Sequence, residues 1–292
     1  MQGSKIRVRE ITGFGITTAD AARLIEFYLC AFGAELLSSE RVAGAQFELL
    51  MGVRGGAQCH HLQLGEERLD ILQFDTLGKP YPRMSSPYQP VFQHFAIVVS
   101  DMASAMSHLQ GVRGWLPLSS GGPQQLPQRS GGVTAFKFQD PDGHPLELLA
   151  FPADAIPAHW QRLNHALFLG IDHSAISVRD TAVSCEFYRA LGFAVTGETY
   201  NHGIEQALLD GMPSPQLVVT ALSASVSTPH LELLCYRSDA NRPPQVLANN
   251  DVAATRTHLA ADPVNGKGRI AGERLITDPD GHHLHFVSRP LN

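Results

Sequence analysis

Apolar and polar residues alternate over Ile11-Thr12-Gly13-Phe14-Gly15-Ile16-Thr17 and again over Ile171-Asp172-His173-Ser174-Ala175-Ile176-Ser177, the pattern of a half-buried strand. Each run is followed by an aspartate, Asp20 or Asp180, placed to cap a helix because its carboxylate can accept from the free N–H groups of the first turn. Both then reach Glu-Phe-Tyr without a gap, at Glu26-Phe27-Tyr28 and Glu186-Phe187-Tyr188. The spacing Val183, Phe187, Leu191 predicts a single apolar stripe on the helix. Gly192, or Gly33 in the first copy, ends it just past the last turn.

A second pair of segments matches elsewhere. His94-Phe95-Ala96-Ile97-Val98-Val99 predicts a strand, Asp101 follows, and a helix should contain His108-Leu109. Asp251 stands at the same offset from His258-Leu259, which predicts a helix there too. Both segments end in a hairpin, Asp140-Pro141-Asp142-Gly143-His144 and Asp278-Pro279-Asp280-Gly281-His282, whose Asp-Gly dipeptide suits a type I′ turn. Closing strands should follow at 145–151 and 283–288. The order is thus A-B-A-B, four βαβββ units in a chain duplicated in tandem, with halves at 1–152 and 170–292 and a Pro-containing linker around Trp160 between them. The Pro-, Gly- and Ser-rich stretch 116–132 reads as a surface loop or a lid, with the plain loop favoured.

Composition narrows the function classes. At 292 residues and 43% hydrophobic, the chain can bury two ordinary cores. A net charge of −6 with interspersed signs argues against a nucleic-acid partner. No apolar stretch predicts a membrane span or a secretory leader. The four scattered cysteines suit a reducing, cytoplasmic setting.

Candidate chemistry lies on the opening and closing strands. His94 with Glu147, and His173 with Glu232, can face one concave surface if those strands are neighbours. A lone glutamate within Pro-Leu-Glu-Leu-Leu or His-Leu-Glu-Leu-Leu is costly to bury without a partner, and a metal is one such partner. His144 and His282, just past the turn glycine, read as structural. Adjacent His60 and His61 face opposite sides of a strand and read as solvated.

The His173-Ser-Ala-Ile-Ser-Val opening, the Glu-Phe-Tyr helix and the Asp-Pro-Asp-Gly-His turn before a Glu-bearing strand resemble the vicinal oxygen chelate superfamily of glyoxalases, bleomycin-resistance proteins and extradiol dioxygenases. The resemblance spans residues 9 to 289 or so and implies an α+β fold of two cupped mixed sheets. It implies one divalent ion (Zn, Ni, Fe or Mn) held by opening- and closing-strand positions. Those positions are Gly13 and Asp70, His94 and Glu147, His173 and Glu232, and Pro244 or Gln245 with His285.

If units two and three share a cup, it holds His94, Glu147, His173 and Glu232 and the other cup is degenerate. If units pair within each half, the sites are Asp70, His94, Glu147 and His173, Glu232, His285. The first pairing is preferred because it completes one set. The implied activity is that of a glyoxalase-type lyase or isomerase acting on a small vicinal-oxygen substrate. The metal would stabilise an enediolate and Glu147 or Glu232 would shuttle the proton. The alternatives are an extradiol dioxygenase and a metal-free binding protein. A monomer could close its own cups, or the chain could form a homodimer.

Overall fold

The computed structural model describes residues 6–82, 87–163, 166–237, 243, 246–263 and 272–287. The first module comprises β1 (Ile6–Thr17), α1 (Ala21–Phe32), β2 (Glu35–Val42), α2 (Ala45–Met51), β3 (Ala57–Leu64) and β4 (Glu67–Phe74). The second comprises β5 (Gln93–Val99), α3 (Met102–Gln110), the two-residue strands β6 (Leu116–Pro117) and β7 (Gln124–Gln125), β8 (Thr134–Gln139) and β9 (Pro145–Ala150). A short helix α4 (Ala158–Gln161) lies in the linker. The third module follows as β10 (Phe168–Ser177), α5 (Thr181–Ala190), β11 (Ala194–His202), α6 (Ile204–Asp210), β12 (Gln216–Ser223) and β13 (His230–Tyr236). The fourth has β14 (Arg256–Pro263), β15 (Arg274–Thr277) and β16 (His283–Phe286).

The strands form two mixed sheets, each drawing one module from each half of the chain. One runs β15-β16-β14-β1-β4-β3-β2 and joins modules one and four. The other runs β11-β12-β13-β10-β5-β9-β8-β6 and joins modules two and three. The seam of each is an antiparallel pair of opening strands, β1 with β14 and β10 with β5. Each opening strand is flanked on its other side by its own module's closing strand in parallel. The pairing of units two and three across the duplication is therefore the one the structure adopts.

Helices lock the halves in the other direction. Asp20, Asp101 and Asp180 cap α1, α3 and α5 as expected, each accepting from backbone N–H groups of the first turn. Phe32 of α1 packs edge-on against Phe168 and close to Phe138, so a first-module helix fills the core of the second sheet. Tyr28 donates to Asp140 Oδ2 at 3.3 Å, and Tyr188 donates to Asp278 Oδ2 at 3.1 Å. The Glu-Phe-Tyr and Asp-Pro-Asp-Gly motifs thus meet: the tyrosine of each odd module seals the turn of the even module that follows.

Three local expectations are corrected. His258 and Leu259 lie in β14, not in a helix opened by Asp251. That carboxylate accepts instead from Lys79 N and Ala248 N, and 256–263 is consumed in pairing with β1. The buried face of α5 is Ser184, Cys185 and Tyr188, while Val183 is exposed, because the helix turns Tyr188 toward Asp278. The Asp-Gly turns are not type I′, since Gly143 (φ 97°) and Gly281 (φ 101°) have positive φ but the aspartates before them do not. Asp140 Oδ1 holds the first turn by accepting from the N–H groups of Asp142 and His144. The stretch 116–132 is a mostly exposed segment fastened to α6, where Ser119 donates to the Leu209 carbonyl and Ser120 N to that of Leu208.

Candidate metal centre and its sister cup

In the second sheet the register places His94 opposite Ala175, and Ala175 opposite Glu232 on the other side. Glu147 neighbours Ala96 in the same way. Side chains two apart share a face, so His94, Glu147, His173 and Glu232 converge from four adjacent strands. His94 Nε2 lies 3.0 Å from Glu147 Oε2, and His173 Nε2 lies 3.5 Å from Glu232 Oε2. The two imidazole centroids are 5.9 Å apart. His94, Glu147 and His173 are buried, and Glu232 is half-buried.

The protonation pattern follows from that crowding. Burial opposes charge on His173, but Glu232, Asp172 and Glu147 outweigh it and lift the imidazole to about 9. Burial would raise Glu232, yet His173 and His230 hold it at about 2. Glu147, also raised by burial, is brought below its ordinary value by Lys137 and His94. His94 moves down because burial outweighs its attraction to Glu147. Both His94 ring nitrogens are buried and lack a partner of hydrogen-bond geometry among the described residues, despite the 3.0 Å approach of Glu147. An orphaned imidazole facing carboxylates is the arrangement expected of ligands awaiting a cation, and the mixed N/O donor set suits a divalent ion of the first transition row.

Three neighbours were not singled out from sequence. Asp172 Oδ2 accepts from His173 Nδ1 at 2.9 Å, which fixes the ring with Nε2 toward the cup. Asp172 Oδ1 accepts from Trp160 Nε1 at 2.9 Å, so the linker tryptophan is an anchor of the site. Lys137 is paired in register with Glu147, its Nζ 3.9 Å from Glu147 Oε2 and 2.7 Å from Asp210 Oδ1. A lysine between two phenylalanines of an apolar strand, and an aspartate beside His173 on a strand, were the available signals.

The sister cup in the first sheet has the same register with other residues. Gly13 takes the place of His173, Asp70 that of Glu232, and His285 that of Glu147. Pro244 and Gln245 lie outside the described residues. The position of His94 is filled by Arg256, which is opposite Gly15 as His94 is opposite Ala175. Gly13 has φ 151°, and a Cβ there would stand 2.4 Å from the Arg68 carbonyl oxygen, so the backbone leaves no room for an imidazole. Asp70 is engaged by His61 Nδ1 and Arg68 Nε, each at 2.7 Å. His285 Nε2 lies 3.3 Å from Glu273. Asp70 and His285 are therefore not brought together with the other four candidates. His61, expected to be solvated, is buried against Asp70, whereas His60 faces Ser39 on the other side. Cys59, His61 and Asp70 are close enough to bind one ion, but Arg68 already occupies the His61–Asp70 edge. Burial also raises the Cys59 thiol to about 12. His144 and His282 are structural as expected, bonded to the Val252 and Ser177 carbonyls.

Two mixed sheets, each pairing one module from each half of the chain, with opening- and closing-strand side chains converging in the cup, define a glyoxalase-like architecture. The chain belongs to the Glyoxalase/Bleomycin resistance protein/Dioxygenase superfamily, whose model matches residues 10–148 and 170–286. Among solved structures, glyoxalase I from Zea mays superposes with a TM-score of 0.59 at 16% identity, covering 95% of this chain and 91% of that one. A putative dioxygenase from Bacillus subtilis gives 0.54 at 9% identity, covering 96% and 85%. At these identities the likeness is one of fold. No curated protein matches the sequence.

Proposed function

We propose that the cup of modules two and three is the active site of a divalent-metal-dependent lyase or isomerase of glyoxalase type, acting on a small substrate with adjacent oxygens. The observation that carries this reading is the convergence of His94, Glu147, His173 and Glu232, with both His94 nitrogens orphaned in a buried, acidic surround. A metal held by these four residues would supply Lewis-acid polarisation of the substrate oxygens. Asp172 and Trp160 keep His173 oriented. Glu147 or Glu232 would accept and return the proton. A set of two imidazoles and two carboxylates differs from the two-His-one-carboxylate triad of ring-cleaving oxygenases, which favours the lyase reading.

The site is closed by modules of one chain, so no second copy is needed to complete it. No described helix is long and apolar enough to cross a membrane, and the four cysteines are free, which suits a reducing cytoplasm. The test is metal content of untagged protein purified without chelator. Wild type should carry about one equivalent of Zn, Ni, Mn or Fe, Glu147→Ala and His173→Ala should each lose it, and Asp70→Ala should keep it. Metal-free wild type, or loss in the Asp70 variant alone, would remove the proposed centre.

A further inference from the structure

The start of β10 carries the residues that aim His173, and a side chain of the first sheet grips it. The register of β10 against β5 shifts between Ile171 and His173, so Asp172 is the extra residue of a bulge. In a regular strand Asp172 and His173 would face opposite sides. Here Asp172 Oδ2 accepts from His173 Nδ1 at 2.9 Å, and Oδ1 accepts from Trp160 Nε1. Pairing of β10 with β13 begins only at His173, so the earlier residues of the strand have β5 alone as ladder partner. Ile171 N finds its acceptor outside the sheet and donates to Glu67 Oε2 of β4 at 2.9 Å.

Two glycines let the β3–β4 turn close on this strand. A Cβ at Gly65 would stand 2.1 Å from the Leu169 carbonyl oxygen, and one at Gly170 would stand 2.3 Å from Glu67 Oε2 and 3.2 Å from the Trp160 ring. Glu67 is buried there. Burial pushes its carboxyl up to about 7, Glu66 and Asp172 add to the rise, and the bond from Ile171 N opposes it. A carboxyl is costly to place among like charges in the interior, so its retention calls for a role. The sister cup has the same bulge without this support. Between Ile11 and Gly13 the extra residue is Thr12. Pro229, three residues before Glu232 as Glu67 is before Asp70, takes the place of Glu67, and β1 carries no histidine. The carboxyl support and the histidine occur together.

We propose that Glu67 is a positioning residue for His173. By holding Ile171 and backing Trp160, it fixes the bulge in which Asp172 keeps the imidazole with Nε2 toward the cup. Its bearing on metal binding rests on the function proposed above, whereas its hold on the ring does not.

The test compares the full chain as wild type, Glu67→Gln, Glu67→Met and Glu67→Asp. Glu67→Gln keeps an acceptor oxygen at the same reach, and Glu67→Met removes it. Glu67→Asp withdraws it by one methylene and decides the matter if Glu67→Met does not fold. In chelator-treated protein, NMR should show the His173 Nδ1 and Trp160 Nε1 protons exchanging with solvent at least about tenfold faster in Glu67→Met and Glu67→Asp, and at the wild-type rate in Glu67→Gln. Zinc affinity by chelator competition should fall about tenfold in the first two and stay unchanged in the third. Tyr28→Phe, which removes a core hydrogen bond elsewhere, should move neither readout. Wild-type exchange and zinc affinity in a folded Glu67→Met or Glu67→Asp, a loss in Glu67→Gln, or an equal loss in Tyr28→Phe would each overturn the proposal. Wild type that takes up no zinc would overturn the metal reading alone, and the exchange comparison would still decide the role of Glu67.

Discussion

Replacing Lys137 with Met should destabilise the protein by about 3–5 kcal/mol, and a second change at Asp210 should restore most of the loss. Both groups are buried, at 3% exposure each, with Nζ 2.7 Å from Oδ1. At an effective dielectric of about 20 their attraction is about 6 kcal/mol, against which each ion's desolvation costs several kcal/mol. The intact pair is thus close to neutral, but one partner left alone is not. In Lys137→Met the Asp210 carboxylate would keep only Gln206 and Tyr236 as donors, at 2.8 and 3.0 Å. Glu147 would also lose the ammonium 3.9 Å away that offsets its burial. In Lys137→Met/Asp210→Asn the stranded charge is gone and the side-chain amide oxygen can still accept, so stability should return to within about 2 kcal/mol of wild type. Urea unfolding of chelator-treated protein, followed by tryptophan fluorescence with m-values compared, reads both numbers. A single-variant loss below about 1 kcal/mol, or a double variant no better than the single, would refute the account of this pair as a mutually neutralising buried ion pair.

The titration of His173 gives a pH dependence. Its folded-state pKa of about 9 lies above its ordinary value of 6.5, so its contribution is complete below pH 6.5 or so and is lost as pH rises through 9. Chelator-treated wild type should lose about 3 kcal/mol over that interval and His173→Gln should not, as urea midpoints at the two ends would show. The same proton must leave for a metal to bind, so apparent metal affinity should rise about tenfold per pH unit below 9, and a flat profile by competition with a chelator would contradict it. Gly13→Ala should cost at least about 1–3 kcal/mol by thermal unfolding, because its φ and the Arg68 carbonyl exclude a Cβ. Gly13→His should therefore fail to create metal binding in the sister cup. Tyr28→Phe should cost about 1–2 kcal/mol by leaving Asp140 short of a donor, measured by the same unfolding assay.

Much of the fold was legible because its signals are local. Asp20, Asp101 and Asp180 announce helix starts through their own side chains, and the repeated Glu-Phe-Tyr and Asp-Pro-Asp-Gly blocks reveal the duplication. What those two blocks do was not legible, since Tyr28 and Asp140 are 112 residues apart and meet only in the folded core. The fourth module misled because Asp251 followed by His258-Leu259 copies the spacing of a capped helix. Only pairing with β1 shows that the segment is the opening strand. That error displaced the ligand position from Arg256 to Pro244. In the candidate centre the four converging side chains could be inferred from strand position. Lys137 and Asp210, 73 residues apart, could not, because a buried pair is defined by burial that sequence does not state.

The contrast between the cups has a physical logic that links the corrected register to the candidate metal centre. At one cup the opening strands contribute His94 and His173, neutralisable donors among carboxylates. At the other the same two positions hold Arg256 and Gly13, a fixed cation and a backbone site that excludes any side chain. A guanidinium cannot release its proton at working pH, so the position that His94 fills in one cup cannot supply a metal ligand in the other. The two related cups therefore differ at both opening-strand positions, and only one of them keeps an imidazole at each.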